Sequence, residues 1–488
     1  NSLIYMARKF ITIFFLIISS HLWSQENVES LNSIYSFGQG GNIKMLYDRR
    51  QRPQVLKLGD ILYLVYNGNR VNLDEKPKTT PMITSFNIKT KKFGPTFSLD
   101  NNSSSDHHHC PIIWVDNKMK INVVYGTHNS SGYHLISKNE SSIGRSKDDW
   151  VKKSFLDTKV SYPSYSKSAY GDLVYFREGG HTGHWKYAIK QEQTQSWAYV
   201  ENTTTNLDMG GMFEWSSYHS IRLSHDRKFI HIAFISYDDN KENNPGRYFN
   251  ERYNTIVTND FKYNLYYLRV DLKTQKAYNF SGKQLVLPID LQSANKDCIV
   301  WNTQGRGAGI PPEIIIDKNG NPAFLHLITE KTIDDFNYYF VQFLNGEWVK
   351  SPIRTSNHQW NNGGLLYKDN KYFSYLIVGD KVTRTKYDDA INFLKKNNLK
   401  NWTKINEMNG HYMDKHGGGD IEEWVSIDGI NWEFSKKVTP INKKSKWKFN
   451  NIQFINDFSG EQLKEYILFY GWEDSDPKKT SAFIYLEN

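Results

Sequence analysis

Apolar and polar residues alternate in short runs along this chain, and the runs come in pairs separated by polar turns. A period of two puts successive side chains on opposite faces of a strand, and a polar turn between two such runs is the hairpin signal. The turns fall near Gly59-Asp60, Asn117-Lys118, Gly171-Asp172, Asp226-Arg227, Asn319-Gly320, Asp369-Asn370 and Ser459-Gly460. The strands that follow read ILYLVY, INVVY, LVYF, FIHIAF, AFLHLI, YFSYLI and YILFYGW. Their first turn residues are spaced by 58, 54, 55, 93, 50 and 90 residues, so two intervals have room for an insertion. Seven like hairpins at loosely regular intervals predict an all-β, seven-bladed β-propeller. One helical excursion is expected in a long interval, over Tyr387 to Asn398, where Ala390, Ile391, Phe393 and Leu394 have helical spacing.

Outer strands support that count. Several hairpins are followed by a turn ending in Trp: Ser146 to Trp150, Thr194 to Trp197, Leu344 to Trp348 and Ser426 to Trp432. The last, SIDGINW, looks like an Asp-box, in which Asp428 and Gly429 shape a turn and Trp432 packs beneath it. That turn belongs to sialidase-like repeats and carries no chemistry of its own.

Composition changes the picture in three ways. Aromatic residues make up 15% of the 488; they suit contacts between blades and also stacking on sugar rings. Arg8 and Lys9 precede a short apolar run, Phe10 to Ile18, followed by Ser19, Ser20 and Ser24. Residues 1–24 are therefore expected to be a leader and secretory signal peptide, leaving one catalytic domain over 25–488. No later segment approaches the length of a membrane span, so the mature protein is expected to be secreted and monomeric. Cys110 and Cys298 are the two cysteines, too few for a disulfide framework. The net charge of +9 becomes +7 without Arg8 and Lys9. No Lys/Arg-rich block or nucleic-acid motif stands out, so nucleic acid is not expected as a partner. An anionic polysaccharide fits an exported, basic, aromatic-rich propeller, beside the plainer reading of a lysine-rich solvated surface.

Hairpin geometry brings chemistry-bearing residues together. His108, Tyr162 and Tyr218 lie 9, 9 and 8 residues before their turns, and His128 and Arg177 lie 11 and 6 residues after theirs. Folding each hairpin returns His128 beside His108 and Arg177 near Tyr162, on one rim of a central channel. In DHHHCP, strand alternation is expected to put His107 and His109 on one side and His108 on the other. Arg177 interrupts an apolar strand and needs an anionic partner, either a substrate or an internal carboxylate. Tyr218 and His219 compete for one inward position. Two His on adjacent strands also suit a metal. In the later blades Cys298, His326, His358 and His416 are candidates for a structural zinc site, beside the reading of unrelated residues.

These residues carry a resemblance. D-x-H-x-x-P at Asp106 to Pro111, Y-G-x-H at Tyr125 to His128, Tyr162-Pro163, Phe176-Arg177 and Tyr218 resemble the ulvan lyases of polysaccharide lyase families 24 and 25; His109 stands where the resemblance leads one to expect Asn. The resemblance implies β-elimination on a uronate in a sulfated algal polysaccharide. It implies His108 and Tyr162 as acid/base pair, His128 as partner to the base or the carboxylate, and Arg177 neutralising charge. Tyr218 would position the sugar, with His107, His109 and His219 as further substrate contacts. Such chemistry needs no cofactor. Two other readings remain open: a sialidase-like-fold glycoside hydrolase, against which Asp106 counts as the single acid of the rim motifs, and a non-catalytic carbohydrate-binding propeller.

Overall fold

The computed structural model describes residues 33–38, 44–71, 78–181, 183–190, 197–199, 215–238, 249–256, 261–380, 417–439, 447–458 and 460–487. The expected leader and the expected helix over 387–398 lie outside these residues. The described chain is all-β. Its helical pieces are short, such as the 3-10 turns His107–His109 and Lys147–Asp149 and the run from Leu291–Ser293 into Ala294–Cys298. Among the described residues no helix is long and apolar enough to cross a membrane.

The strands form a succession of antiparallel meanders. One four-stranded sheet comprises Ile112–Val115, Lys120–Tyr125, Tyr133–Glu140 and Trp150–Ser154, and the next Val160–Ser168, Gly171–Glu178, Trp185–Lys190 and Trp197–Tyr199. A six-stranded sheet is built on Trp215–Leu223, Phe229–Asp238 and Lys262–Asp271. Two more four-stranded sheets start from Glu313–Ile316 and Gly364–Lys368. A nine-stranded sheet holds both ends of the described chain: Ile34–Phe37 pairs with Asp476–Leu486, and a single parallel pair, Leu56 with Asn456, joins its two halves.

Packing explains why the central strands are apolar on both faces. Leu173 and Tyr175 enter a cluster with Ile230, Ile232 and Phe234 of the following sheet, while Val174 and Phe176 enter one with Ile112, Trp114 and Val124 of the preceding sheet. All four are at most 1% exposed. Each such side chain contributes about 1.5–3 kcal/mol on burial, so face-to-face stacking of successive sheets is where the core lies. The remaining clusters repeat the arrangement, and one joins Leu62, Leu64 and Met82 to Ile455, Leu468 and Ile484 within the nine-stranded sheet.

One expected turn is displaced. Ser168 pairs with Gly171, so the hairpin turns at Ala169-Tyr170 and Gly171 opens the next strand. A Cβ on Gly171 would sit 2.8 Å from the Lys190 carbonyl, so the glycine serves close strand approach rather than the turn. The Asp-box forms as expected. Asp428 Oδ1 accepts from the Ile430 and Asn431 amides, and Trp432 lies 5.3 Å from Phe340 of the neighbouring sheet.

Candidate active site

Asp106 organises the histidines. Its side chain caps the turn His107–His109, accepting from the His108 amide at 3.0 Å. The same oxygen lies 2.5 Å from His108 Nδ1, and the other oxygen lies 2.6 Å from His128 Nδ1. One carboxylate thus holds two imidazoles with Nδ1–H directed at it, which leaves each Nε2 as a lone-pair acceptor. The rings stack at 4.0 Å. Burial pushes His108 down to about 3, with Asp106 opposing and His128 adding to the shift, so this imidazole is neutral at neutral pH. The Asp106 carboxyl is held below its ordinary range: burial alone would raise it, and the hydrogen bonds from His108 and His128 outweigh that.

The histidine triplet is a 3-10 turn and not the start of a strand, so the expected alternation fails. Asp106 competes for the backbone amides and winds the segment. His107 lies beside Lys44 Nζ at 3.5 Å and 5.6 Å from the Tyr47 ring. His109 Nε2 lies 3.9 Å from Asp106.

Tyr162 occupies a bulge between Ser161 and Ser164, with φ of 56°. A left-handed conformation costs a bulky residue about 1–3 kcal/mol and persists where surrounding packing enforces it. Here Tyr47 stacks on its ring at 6.0 Å and the Arg177 guanidinium lies 4.7 Å from the ring centre. Its hydroxyl reaches His128 Nε2 at 3.5 Å. Sequence reasoning paired Tyr162 with His108 first; the hydrogen-bond contact is with His128, and His108 meets the ring edge-on at 5.6 Å.

Arg177 is fully buried. It donates from Nη1 to the Tyr237 hydroxyl at 3.3 Å, while Nε and Nη2 have no partner, and no carboxylate pairs with it among the described residues. The internal ion pair offered as an alternative is therefore not formed there. Tyr218 stacks on Tyr237 at 4.8 Å and lies 5.2 Å from the Arg177 guanidinium. Burial would raise its pKa, but Arg177, Arg50, His181 and Lys262 together bring it down to about 7. Tyr162 moves the other way, raised by burial and by Tyr218. Of the two phenols, Tyr218 ionises first.

His219 is not part of this cluster. It faces the sheet interior, where Nδ1 meets the Tyr175 hydroxyl at 2.7 Å and Nε2 meets Ser217 Oγ at 2.8 Å. Strand alternation gives the inward place to Tyr218 and uses up both nitrogens of His219.

Sequence reasoning also missed the segment Lys44 to Gln54. Arg50 is ion-paired with Asp48 and lies 4.3 Å from the Tyr218 ring and 5.3 Å from that of Tyr162. Lys262 lies 5.4 Å from Tyr218 and 5.1 Å from Trp360. The signal was the Arg-Arg-Gln-Arg run at 49–52, three cations before a proline.

Asp106, His108 and His128 bring potential metal-ligand atoms within 4.8 Å of one another. Among the described residues, Cys298, His326 and His358 of the expected zinc set do not come together. Cys298 packs with Tyr266, His326 lies beside Trp301, and His358 Nδ1 accepts from the Trp360 amide. They belong to different sheets and loops, which their recurrence along the chain could not reveal; His416 lies outside the described residues. Both cysteines are buried free thiols.

Stacked antiparallel sheets here form a propeller-like protein, in which a carboxylate-linked histidine pair faces two tyrosines and an arginine with unmet donors. The chain belongs to the BNR repeat-containing family, whose model matches residues 80–356. It is 21% identical over 399 residues to an ulvan lyase of family PL25 from Pseudoalteromonas sp. (strain PLSV), covering 75% of this chain and 74% of the relative. It is 21% identical over 276 residues to an ulvan lyase from Alteromonas sp. (strain LOR), covering 52% of this chain and 53% of that one. The fold is similar to the PL25 ulvan lyase solved with -[GlcA(1-4)Rha3S]-, with a TM-score of 0.67 and 16% identity over 93% of this chain and 95% of that one. It is also similar to the polysaccharide lyase Uly1, with a TM-score of 0.57 and 12% identity over 95% and 94% of the two chains.

Proposed function

We propose that this protein is a secreted, monomeric polysaccharide lyase that cleaves a sulfated, uronate-containing algal polysaccharide of the ulvan type. The reaction is β-elimination, leaving a 4,5-unsaturated uronate end. The observation that carries the reading is Arg177, a buried guanidinium with two unpartnered nitrogens between Tyr162 and Tyr218. A uronate carboxylate supplies the missing acceptors. Two parallel N–H···O bonds would then hold it and stabilise the charge that develops as the C5 proton leaves.

The proton steps follow from the contacts. Tyr162, hydrogen-bonded to His128 and through it to Asp106, takes the C5 proton as His128 Nε2 receives the phenolic one. The electron pair forms the C4=C5 bond and the C4–O4 bond breaks. Tyr218 donates to the leaving O4, since a group with a pKa near neutrality is the better matched donor. His108, fixed by the same carboxylate, keeps His128 in place by stacking and offers its Nε2 to the sugar. His107 and His109 extend the rim. Arg50 and Lys262 add positive charge. The C5–H pair becomes the C4=C5 bond, the C4–O4 pair leaves with O4, and the protons pass to Tyr162 and from Tyr218, so the step is redox-neutral and requires no cofactor.

The relatives' names support the substrate class. We also read the described sheets as seven blades of one domain over 25–488, with the nine-stranded sheet counted as two blades touching at Leu56. Six apolar clusters straddle consecutive sheets and a seventh joins the two halves of the nine-stranded sheet, which supports that count. A glycoside hydrolase would want two free carboxylates; Asp106 is bound by two histidines and Asp48 by Arg50. The test is incubation with a panel of uronate polysaccharides. Unsaturated uronate ends released from ulvan are expected. New reducing ends without unsaturation would make the protein a hydrolase, and binding without cleavage would make it a carbohydrate-binding propeller.

A further inference from the structure

A cavity of about 580 Å³ lies on the far side of the Arg49–Arg52 segment from the histidines and tyrosines. It is lined by parts of the central strands, including Ser164–Lys167, Ser220–Leu223 and Glu313, Ile315 and Ile316, and none of His108, His128, Tyr162, Arg177 or Tyr218 reaches it. Tyr218, Ser220 and Arg222 alternate along one face of one strand. At about 3.3 Å per residue, Arg222 lies roughly 13 Å from Tyr218 along that face.

The charge inside is unbalanced. Glu313 accepts from Arg52 at 3.3 Å and is ion-paired with Arg49 at 3.6 Å, whose own donors go to Asn362 and the Gly363 carbonyl. Arg222 lines the same cavity with no hydrogen bond or ion pair at contact distance among the described residues, and feels Glu313 and Glu461 only at longer range. Counting Lys167, Arg227 and Lys368 with these three arginines, and Asp457 and Glu461 with Glu313, six cationic side chains line the cavity against three carboxylates. Burial lowers Arg52 to about 10, and Glu313 offsets part of that. Polar atoms on the wall are also unpartnered: Arg52 Nε and Ser220 Oγ on the donor side, Asn456 Oδ1 and Gln462 Oε1 as acceptors. A buried polar atom without a partner costs about 1–3 kcal/mol, and a ligand carrying both an anion and hydroxyl groups would supply partners to these. The volume falls within the usual range for small-molecule pockets, about 300–1,000 Å³, larger than a bare ion requires.

We propose that this cavity is a second binding site, for an acidic sugar held through its sulfate or carboxylate by Arg222 and Arg52, with its hydroxyls donating to Asn456 and Gln462. Occupancy is independent of turnover, so failure of this site and failure of the lyase reading are separable.

The test uses a sulfated monosaccharide and glucuronic acid as probes, with sodium selenate as the bare-anion control. Crystals soaked in each sugar are expected to show density with the acid group against Arg222 and Arg52. A cavity that stays empty, or that takes selenate and neither sugar, would overturn the proposal. Calorimetric titration in an Arg177→Met background removes the catalytic cation. There the sugar affinity is expected to persist and to weaken on the order of tenfold when Arg222→Gln is added; an unchanged affinity would also overturn it. If Arg222→Gln fails to fold, the soaked crystals decide alone.

Discussion

Arg177 shows how a single side chain can be costly to the fold and useful to the site. A buried guanidinium with unmet donors destabilises, and an apolar residue of similar length relieves that. Arg177→Met is expected to keep or raise the melting temperature while kcat/KM on ulvan falls by about 10²–10³, the usual loss for a preorganised charge. Scanning fluorimetry beside initial rates checks both halves; a parallel loss of stability and activity would make Arg177 merely structural. Tyr218 gives a second prediction. Ultraviolet difference titration is expected to show one tyrosine ionising near 7, and Tyr218→Phe is expected to remove that step. If the step survives, Arg177, Arg50 and Lys262 do not act on this phenol. At this scale the sequence was informative where a residue broke its local pattern. Arg177 in an apolar strand was legible, and so was the approach of His128 to His108. Arg50 was not, because the Lys44–Gln54 segment has no periodicity, and its neighbours Arg49 and Arg52 are held by Asn362 and Ile452, about 313 and 400 residues away.

Among the elements, the turn at His107–His109 matters most for the chemistry. Asp106 both caps it and links the two imidazoles, and these tasks can be separated. Asparagine still caps a helical turn but removes the negative charge. Asp106→Asn is therefore expected to change the melting temperature little and to lower kcat by about 10² or more, because it leaves His128 without its charged partner. Asp106→Ala should add a stability loss of about 1 kcal/mol from the lost cap. Equal activity of Asp106→Asn and wild type would remove the relay from the mechanism. An Asp ahead of a short run is an N-cap signal, and this was the clue that would have replaced the expected strand by a turn. Hairpin strands were legible because period-two patterns and polar turns are local. The displaced turn at Ala169-Tyr170 was not, because Gly171 answers to Lys190 on the third strand of the sheet.

For the whole molecule, buried neutral histidines set the acid limit of stability. Burial lowers His108, His231, His326 and His358 to about 3 from an ordinary 6.5. A histidine depressed in the folded state contributes stability that is complete above 6.5 and declines as pH falls toward 3, because the unfolded chain takes up protons first. The melting temperature is expected to hold above pH 6.5 and to drop steadily below it; a flat profile down to pH 4 would show that these rings are not buried neutral. The succession of antiparallel sheets was legible as a repeat, whereas convergence across sheets was not. Cys298, His326 and His358 recur along the chain without meeting in space. In the proposed mechanism the Asp106–His128–Tyr162 relay and Arg177 perform β-elimination on a uronate. The most direct test follows the ultraviolet absorbance of conjugated unsaturated uronate during digestion of ulvan by wild type and Tyr162→Phe. Wild type is expected to give a steady rise, and the variant, whose ring packing is kept, a rate lower by about 10² or more. No rise with wild type, or an equal rise with Tyr162→Phe, would contradict it.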